Sequence, residues 1–302
     1  MKIKQIAVVA SIFFLGACSK HDYEKGEGLY NKNDYVHALP LISSAASDGF
    51  KEAQFRLGMM YYFGNGVALD YKKATEWLTK AGDQGYDRAQ TVLGNIYYRG
   101  EGVAPDFQKS LYWYEKAASQ NNSGAQAMLG VMYEAGDGVP KNFPQAVAFF
   151  EKAIANNEVT AEYALGTMYL NGEGLPQNYA KAASLFLSAA KEGNELGQYA
   201  LANLFFTGRG IELDHRKAYY WYEKSASNGY SVAQLNLGIL YRDGDGIERS
   251  LIQAHKWLNI AGAGGEEQAN IARTELEAEM TKPQIAEAQK MASDWLSTHK
   301  QN

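Results

Sequence analysis

Cysteine is nearly absent from this sequence, and the single cysteine, Cys18, lies near the amino terminus. One thiol cannot form an intramolecular disulfide, so packing must stabilise the folded chain. The five histidines are scattered, with no H-E-x-x-H motif and no Cys/His cluster of the kind that binds zinc. No G-x-S-x-G motif is present to raise a nucleophilic serine on a sharp turn. The sequence therefore indicates no catalytic chemistry, and we expect neither enzymatic activity nor a cofactor.

Excess positive charge and long apolar segments are also missing. The chain has 29 lysines and arginines against 34 aspartates and glutamates, whereas nucleic-acid binding needs a basic stripe that neutralises phosphates. The amino-terminal apolar run, Ile6–Leu15, is too short to span a bilayer as a mature helix. Because Lys2 and Lys4 precede it, this run is typical of an export signal. We therefore expect an exported protein with no nucleic-acid partner.

Leu15, the last residue of this run, begins the segment Leu-Gly-Ala-Cys, which ends at Cys18. This segment resembles the lipobox of bacterial lipoproteins, in which the signal is removed before a cysteine that then carries a lipid. The resemblance implies that 1–17 is a signal peptide and that 18–21 comprises the lipidated Cys18 and a short tether. Ser19 follows the cysteine, where aspartate usually accompanies retention in the inner membrane. We therefore expect an outer-membrane lipoprotein of a Gram-negative bacterium that faces the periplasm.

One stretch, LGMMYYFGNGV from Leu57, recurs along the chain. Related stretches begin at Leu93, Leu129, Leu165, Leu201 and Leu237. The spacing is constant (93 − 57 = 36). A glycine loop that cradles a phosphate has no reason to recur at a fixed period, whereas a strict period of this size indicates stacked units that share one core.

Each repeat contains the signals of two helices. In the first copy Ala53, Leu57 and Tyr61 form one stripe of a first helix, which Gly64 ends, and Asp70 begins a second helix as its N-cap. The equivalent N-caps are Asp106, Asn142, Asn178, Asp214 and Ser250. Ala74, Trp77 and Ala81 are predicted to form the packing face of the second helix, with the large residue filling the space between repeats. The second helices are predicted to stop at Gly85, Asn121, Asn157, Gly193, Gly229 and Gly265.

The pattern A-x-x-x-L-G-x-x-Y-x-x-G-x-G-V, followed by A-x-x-W/F, resembles the Sel-one-like repeat (SLR), a longer relative of the tetratricopeptide repeat. The resemblance implies an all-α fold, a right-handed α-solenoid of stacked antiparallel helix pairs. We expect a degenerate tetratricopeptide-like unit at 22–48, six SLR units at 49–265, and C-terminal capping helices at 266–302. Pro283 is expected near the start of the last helix.

By resemblance to tetratricopeptide proteins, one stripe of each first helix lines a concave face that binds partners. Tyrosine and arginine are frequent on or beside this stripe, and both contribute strongly to protein interfaces. The residues expected to contact a protein partner are Phe55, Met59, Tyr62, Asn95, Tyr98, Arg99, Ala127, Val131, Glu134, Tyr163, Tyr199, Asn203, Phe206 and Arg242. The alternative is that individual members only pack between neighbouring first helices.

Two features of this surface carry further hypotheses. The small residues Ala127 and Val131 fall between Tyr98 and Tyr163, which suggests a shallow depression that accepts a partner side chain. The residues between the paired glycines of each turn are Asn65, Glu101, Asp137, Glu173, Arg209 and Asp245. The four acidic ones could repel anionic lipid or attract a basic partner, and the alternative is that they only keep the turns solvated.

These observations favour a lipid-anchored periplasmic scaffold that captures a protein partner, as an envelope adaptor or regulator. An immunity protein that neutralises a membrane-attacking, phospholipase-type effector is an alternative, because some SLR lipoproteins have that role. Binding of glycan or lipid by the aromatic stripe is a second alternative, because tyrosine rings also stack on sugars.

Overall fold

The computed structural model describes residues 19–299, which form sixteen α-helices and no strand. Cys18, the predicted signal peptide and the last three residues lie outside the described residues. The chain divides after Glu158 into two compact units. Within each unit the helices pack as stacked pairs, which confirms the predicted all-α repeat fold.

The first unit contains eight helices, in which each helix from α2 to α7 packs against the next. They are α1 (19–30), α2 (Tyr35–Ser47), α3 (Lys51–Phe63), α4 (Tyr71–Asp83), α5 (Asp87–Arg99), α6 (Phe107–Ala118), α7 (Ser123–Ala135) and α8 (Phe143–Ala155). Helix α1 already includes 19–21, which the sequence places in a tether. Ser19 is buried there, and its Oγ donates a hydrogen bond to Asp48 Oδ2 at 2.8 Å.

The second unit also contains eight described helices. They are α9 (Val159–Asn171), α10 (Tyr179–Lys191), α11 (Glu195–Thr207), α12 (His215–Ser227), α13 (Ser231–Asp243), α14 (Leu251–Ala263), α15 (Glu267–Glu277) and α16 (Lys282–His299). Helix α16 packs against α14, where Ala288 and Ala292 are buried and Trp295 meets Trp257 edge to face. The last helix therefore covers the exposed side of the final pair, and Pro283 lies in its first turn as predicted.

The predicted caps of the second helices are confirmed in all six repeats. Asp70 Oδ1 accepts a hydrogen bond from the backbone N–H of Lys73, which satisfies one of the free donors of the first helical turn. The other five N-cap side chains do the same at Asp106, Asn142, Asn178, Asp214 and Ser250. The predicted stops are also confirmed, because Gly85 and its five equivalents all have positive φ angles, including Asn121 at 64° and Asn157 at 62°.

The space between the two helices of each repeat is filled by the residue that follows the predicted packing position of Trp77. These residues are Leu78, Tyr114, Phe150, Phe186, Tyr222 and Leu258, all no more than 3% exposed. Five of them pack against a glycine of the first helix, and a Cβ on Gly166 would lie only 2.6 Å from the Phe186 ring. Trp113 does pack between repeats, against Leu78 and Leu93, whereas Trp77 is only half-buried.

Amide side chains connect consecutive repeats, a feature that the sequence did not predict. Gln90 Nε2 donates to the carbonyl of Gly82 in the preceding repeat, and Gln90 Oε1 accepts from Gln120 Nε2, each at 2.8 Å. The same arrangement, which we call the glutamine clasp, is centred on Gln54, Gln126 and Gln198, and Gln234 makes the carbonyl bond. Buried amides paired in this way fix the register of one repeat on the next.

The fourth repeat departs from the clasp, because Glu162 stands at the glutamine position. Its Oε1 accepts a hydrogen bond from Ser188 Oγ at 2.7 Å. Its Oε2 is buried and has no hydrogen-bond partner among the described residues. The donor position of the clasp is Glu192 in this copy, which has no amide hydrogen to offer.

Candidate protein-binding groove

Two tyrosines of the predicted stripe bind the turn of the following repeat. Tyr62 donates a hydrogen bond to Glu101, and Tyr98 donates to Asp137 Oδ2 at 2.8 Å. Burial, followed by these hydrogen bonds, raises the pKa of both tyrosines to about 12. Both hydroxyls thus have partners inside the protein, and so do Glu101 and Asp137, two of the four acidic turn residues.

The two predicted asparagines also have internal partners. Asn95 Oδ1 accepts a hydrogen bond from the buried Tyr114 hydroxyl at 2.6 Å, and Asn203 Oδ1 accepts from the Tyr222 hydroxyl at 2.5 Å. In the four copies whose second helix carries phenylalanine or leucine instead, the first-helix residue is Met59, Val131, Thr167 or Ile239. At this position of the first helix, asparagine therefore occurs only where a buried tyrosine needs an acceptor.

Phe55 and Met59 lie in the first unit and pack against neighbouring repeats. Phe55 is 5% exposed, meets Tyr86 edge to face at 5.1 Å between ring centroids, and has the Arg88 guanidinium over its face. Met59 is half-buried against the same cluster. These two side chains have the internal packing role that the sequence left open as the alternative.

The charged and aromatic members near the helix ends are paired. Arg99 lies 3.6 Å from Glu101, and Arg242 donates two hydrogen bonds to Asp243 at 2.7 and 2.9 Å. Phe206 stacks on His215 with 4.9 Å between ring centroids. Their side chains are therefore already held by neighbours.

The mid-stripe residues are divided between the two units. Ala127 is buried, Val131 and Glu134 are half-buried, and all three lie with Tyr98 in the first unit. Tyr163 belongs to the second unit. A depression flanked by Tyr98 and Tyr163 stays a prediction.

Within the second unit, α9, α10, α11 and the turn after α11 line an open cavity of about 340 Å³. It brings together Tyr163, Tyr199 and Asn203 of the predicted stripe, with Thr167 and Leu170 from the same helical face and Phe186 behind them. Arg209, the turn residue, also lines it. The volume lies in the range of about 300–1,000 Å³ that is typical of ligand pockets. We call this cavity the Arg209 pocket.

The polar groups of the Arg209 pocket include both donors and acceptors. The hydroxyls of Thr167 and Thr207 donate to carbonyls of their own helices, those of Tyr163 and Asn203, at 3.0 and 2.7 Å. Asn203 Oδ1 accepts a hydrogen bond from Tyr222, and no described residue accepts one from the Asn203 amide N–H groups. No acidic residue is among those that line the pocket, whereas Arg209 is.

Metal-binding clusters and membrane-spanning helices are not seen in residues 19–299. No group of three or more histidine, cysteine or acidic side chains lies together there as metal ligands would. Across the same residues, no helix is both long and apolar enough to cross a membrane.

Comparison with known proteins gives a consistent family. The Sel1 repeat model matches residues 51–86, 87–122, 123–158, 159–194, 196–230 and 231–266. A search of curated proteins finds no match.

Solved structures with similar folds include two at 30% sequence identity. One is a protective antigen of uropathogenic Escherichia coli strains that displays an SLR fold; the TM-score is 0.83 over 92% of this chain and 61% of that chain. This chain thus spans about three fifths of the antigen's length. The other is a Sel1 repeat protein from Oxalobacter formigenes, with a TM-score of 0.73 over 80% of this chain and 96% of that chain.

A third similar structure is an immunity protein from Pseudomonas aeruginosa, at 22% identity and a TM-score of 0.47 over 69% of this chain and 81% of that one. That likeness is too distant to support an argument about function. With six matched repeats between residues 51 and 266, this chain belongs to the Sel1 repeat family.

Proposed function

We propose that this Sel1 repeat protein is a lipid-anchored periplasmic scaffold that captures a protein partner, as an envelope adaptor or regulator. The observation that carries the proposal is the Arg209 pocket, because it is a formed cavity at positions that the repeat leaves free to vary. Tyr163 and Tyr199 line it with large ring surfaces, and no described residue pairs with either hydroxyl. Aromatic surface with free polar tips is typical of residues that dominate protein interfaces.

The proposed anchor is a lipid on Cys18. The Leu-Gly-Ala-Cys segment supports it, and so does the position of Ser19, which is already attached to the first unit through Asp48. A lipid one residue earlier would hold this unit at the bilayer surface, since one residue extends at most about 3.6 Å. Metabolic labelling with a palmitate analogue tests this directly: wild type should incorporate label and Cys18→Ala should not. Unlabelled wild type would overturn the anchor.

Partner capture is tested by replacing a pocket residue with one that fills the cavity. Thr167→Arg should abolish recovery of a partner from detergent-solubilised envelopes, as detected by mass spectrometry of the captured material. Ser184→Arg places the same side chain on an exposed position of α10 in the same unit and should leave recovery unchanged. Circular dichroism checks that both variants fold.

The identity of the captured partner separates the roles. Cell-wall or membrane machinery would support the adaptor, whereas a phospholipase-type effector would replace it by the immunity role. Recovery of only glycan or lipid by wild type, with no protein lost in Thr167→Arg, would overturn protein capture at this pocket.

A further inference from the structure

The Arg209 pocket differs from the equivalent turns of the first unit in the sign of its charge. There, Glu101 and Asp137 accept hydrogen bonds from tyrosines 39 residues earlier, Tyr62 and Tyr98. In the pocket both partners are changed together, because the turn residue is Arg209 and the residue 39 positions earlier is Leu170. An internal tyrosine–acid contact is therefore replaced by an arginine beside an apolar side chain.

The guanidinium of Arg209 is left without an internal partner. Among residues 19–299 it makes no hydrogen bond, ion pair or ring contact, although Arg56, Arg242 and Arg249 each bind a carboxylate. Five N–H donors in a fixed plane match a carboxylate well, and such charge-assisted bonds are about twice as strong as neutral ones. Asn203 adds amide donors to the same cavity.

The remaining surface of the pocket is apolar. Leu170, Phe186 and Leu204 contribute aliphatic and aromatic surface, and Tyr163 and Tyr199 add their rings. A free inorganic anion would leave this surface wet, whereas an apolar side chain would remove it from water at about 25 cal/mol per Å². The cavity thus combines an anion-binding donor set with room for one bulky apolar group.

Resting on the proposed function, we infer that the Arg209 pocket recognises a partner segment in which an aspartate or glutamate lies beside a bulky apolar side chain. The carboxylate binds Arg209 and Asn203, and the apolar side chain contacts Leu170 and Phe186. The protein as a whole has more acidic than basic residues, 34 against 29, so recognition of an acidic segment depends on this local arginine.

Peptide display against the purified full chain in detergent tests the inference, with a random eight-residue library as the probe. Wild type should enrich peptides with Asp or Glu within two positions of Leu, Ile, Met, Phe or Trp. A representative peptide should bind wild type about tenfold more tightly than it binds Arg209→Glu, and raised salt should weaken this binding because the contact is partly exposed. Arg216→Glu makes the same charge change at an exposed position of α12 and should bind like wild type.

The outcomes separate this inference from the proposed function. Enrichment of peptides without acidic residues, or equal binding by Arg209→Glu and wild type, would overturn the acidic–apolar specificity. If Thr167→Arg still abolished partner capture in that case, the proposed function would stand. If peptides bound through Arg209 but no protein partner were recovered from envelopes, the proposed function would fail instead.

Discussion

Glu162→Gln should stabilise the protein, because it restores the glutamine found at this position in the five other repeats. The wild-type carboxylate has one buried oxygen with no partner, and Ser188 satisfies only the other oxygen. A buried polar group without a partner costs about 1–3 kcal/mol, and more when it is charged. Since Glu162 is half-buried as a whole, we expect the lower part of that range, about 1–2 kcal/mol. The melting temperature should rise by roughly 2–5 °C.

The assay is urea denaturation followed by circular dichroism, with two comparison variants. Glu212→Gln removes the same charge from an exposed site of the same unit and should change the unfolding free energy by less than about 0.5 kcal/mol. Gln90→Glu makes the reverse change in the first unit, where it removes the amide donor of the bond to Gly82, and should destabilise. If Glu162→Gln left stability unchanged or lowered it while Gln90→Glu was destabilising, the energetic cost assigned to the buried Glu162 oxygen would be refuted.

Three further predictions concern internal contacts. Asn95→Val should lower the unfolding free energy in urea by about 1–3 kcal/mol, because it leaves the buried Tyr114 hydroxyl without an acceptor. Adding Tyr114→Phe should recover most of this loss, since the hydroxyl is then absent. No recovery in the double variant would contradict the pairing. The pKa of Tyr98 is raised to about 12 in the folded state from an ordinary value of 10.0, so the stability that its protonated hydroxyl contributes is complete below pH 10 and is lost as the pH rises toward 12. Tyr98→Phe should therefore flatten the dependence of stability on pH between 10 and 12. An unchanged alkaline profile would contradict this prediction. The backbone N–H of Lys73 lowers the pKa of Asp70 from 3.8, so the stabilisation by this cap is present above that value and is lost as the pH falls below it. Asp70→Asn caps the helix without titrating, so the unfolding free energy of this variant should fall less in acid. Equal losses of stability in wild type and variant during an acid titration would contradict the role of the cap.

The starts and ends of the second helices could be predicted from the sequence at the residue level. The cap at Asp70 depends on a side-chain oxygen beside a free helix terminus, and the stop at Asn121 depends on tolerance of positive φ. Both properties belong to single residues, so the 36-residue phase was enough to place them. The stacked helix pairs follow from the same phase.

Contacts between repeats were harder to predict. Trp77 and Leu78 differ by only 100° around the helix, and the facing glycine decides which of them is fully buried. The bonds from Tyr62 to Glu101 and from Tyr98 to Asp137 span more than one period, so alignment of the repeats alone does not reveal them. No regular correlation at a separation of 39 residues marks them in the sequence, because Glu134 stands 39 residues before Glu173 and Phe206 stands 39 residues before Asp245.

Two kinds of departure from the repeat pattern occur in this protein: those matched by a change at a contacting residue, and those that are not. A change that is matched by a change in its neighbour, as when Asn95 accompanies Tyr114, keeps an internal bond and needs no external ligand to explain it. Glu162 is a change without a matching neighbour, and its cost is a buried oxygen without a partner. Arg209 also lacks an internal match, but its guanidinium lines an open cavity where a ligand can supply the missing acceptor. An internal bond therefore accounts for Asn95, whereas Arg209 is exposed and free to bind an acidic group on a partner.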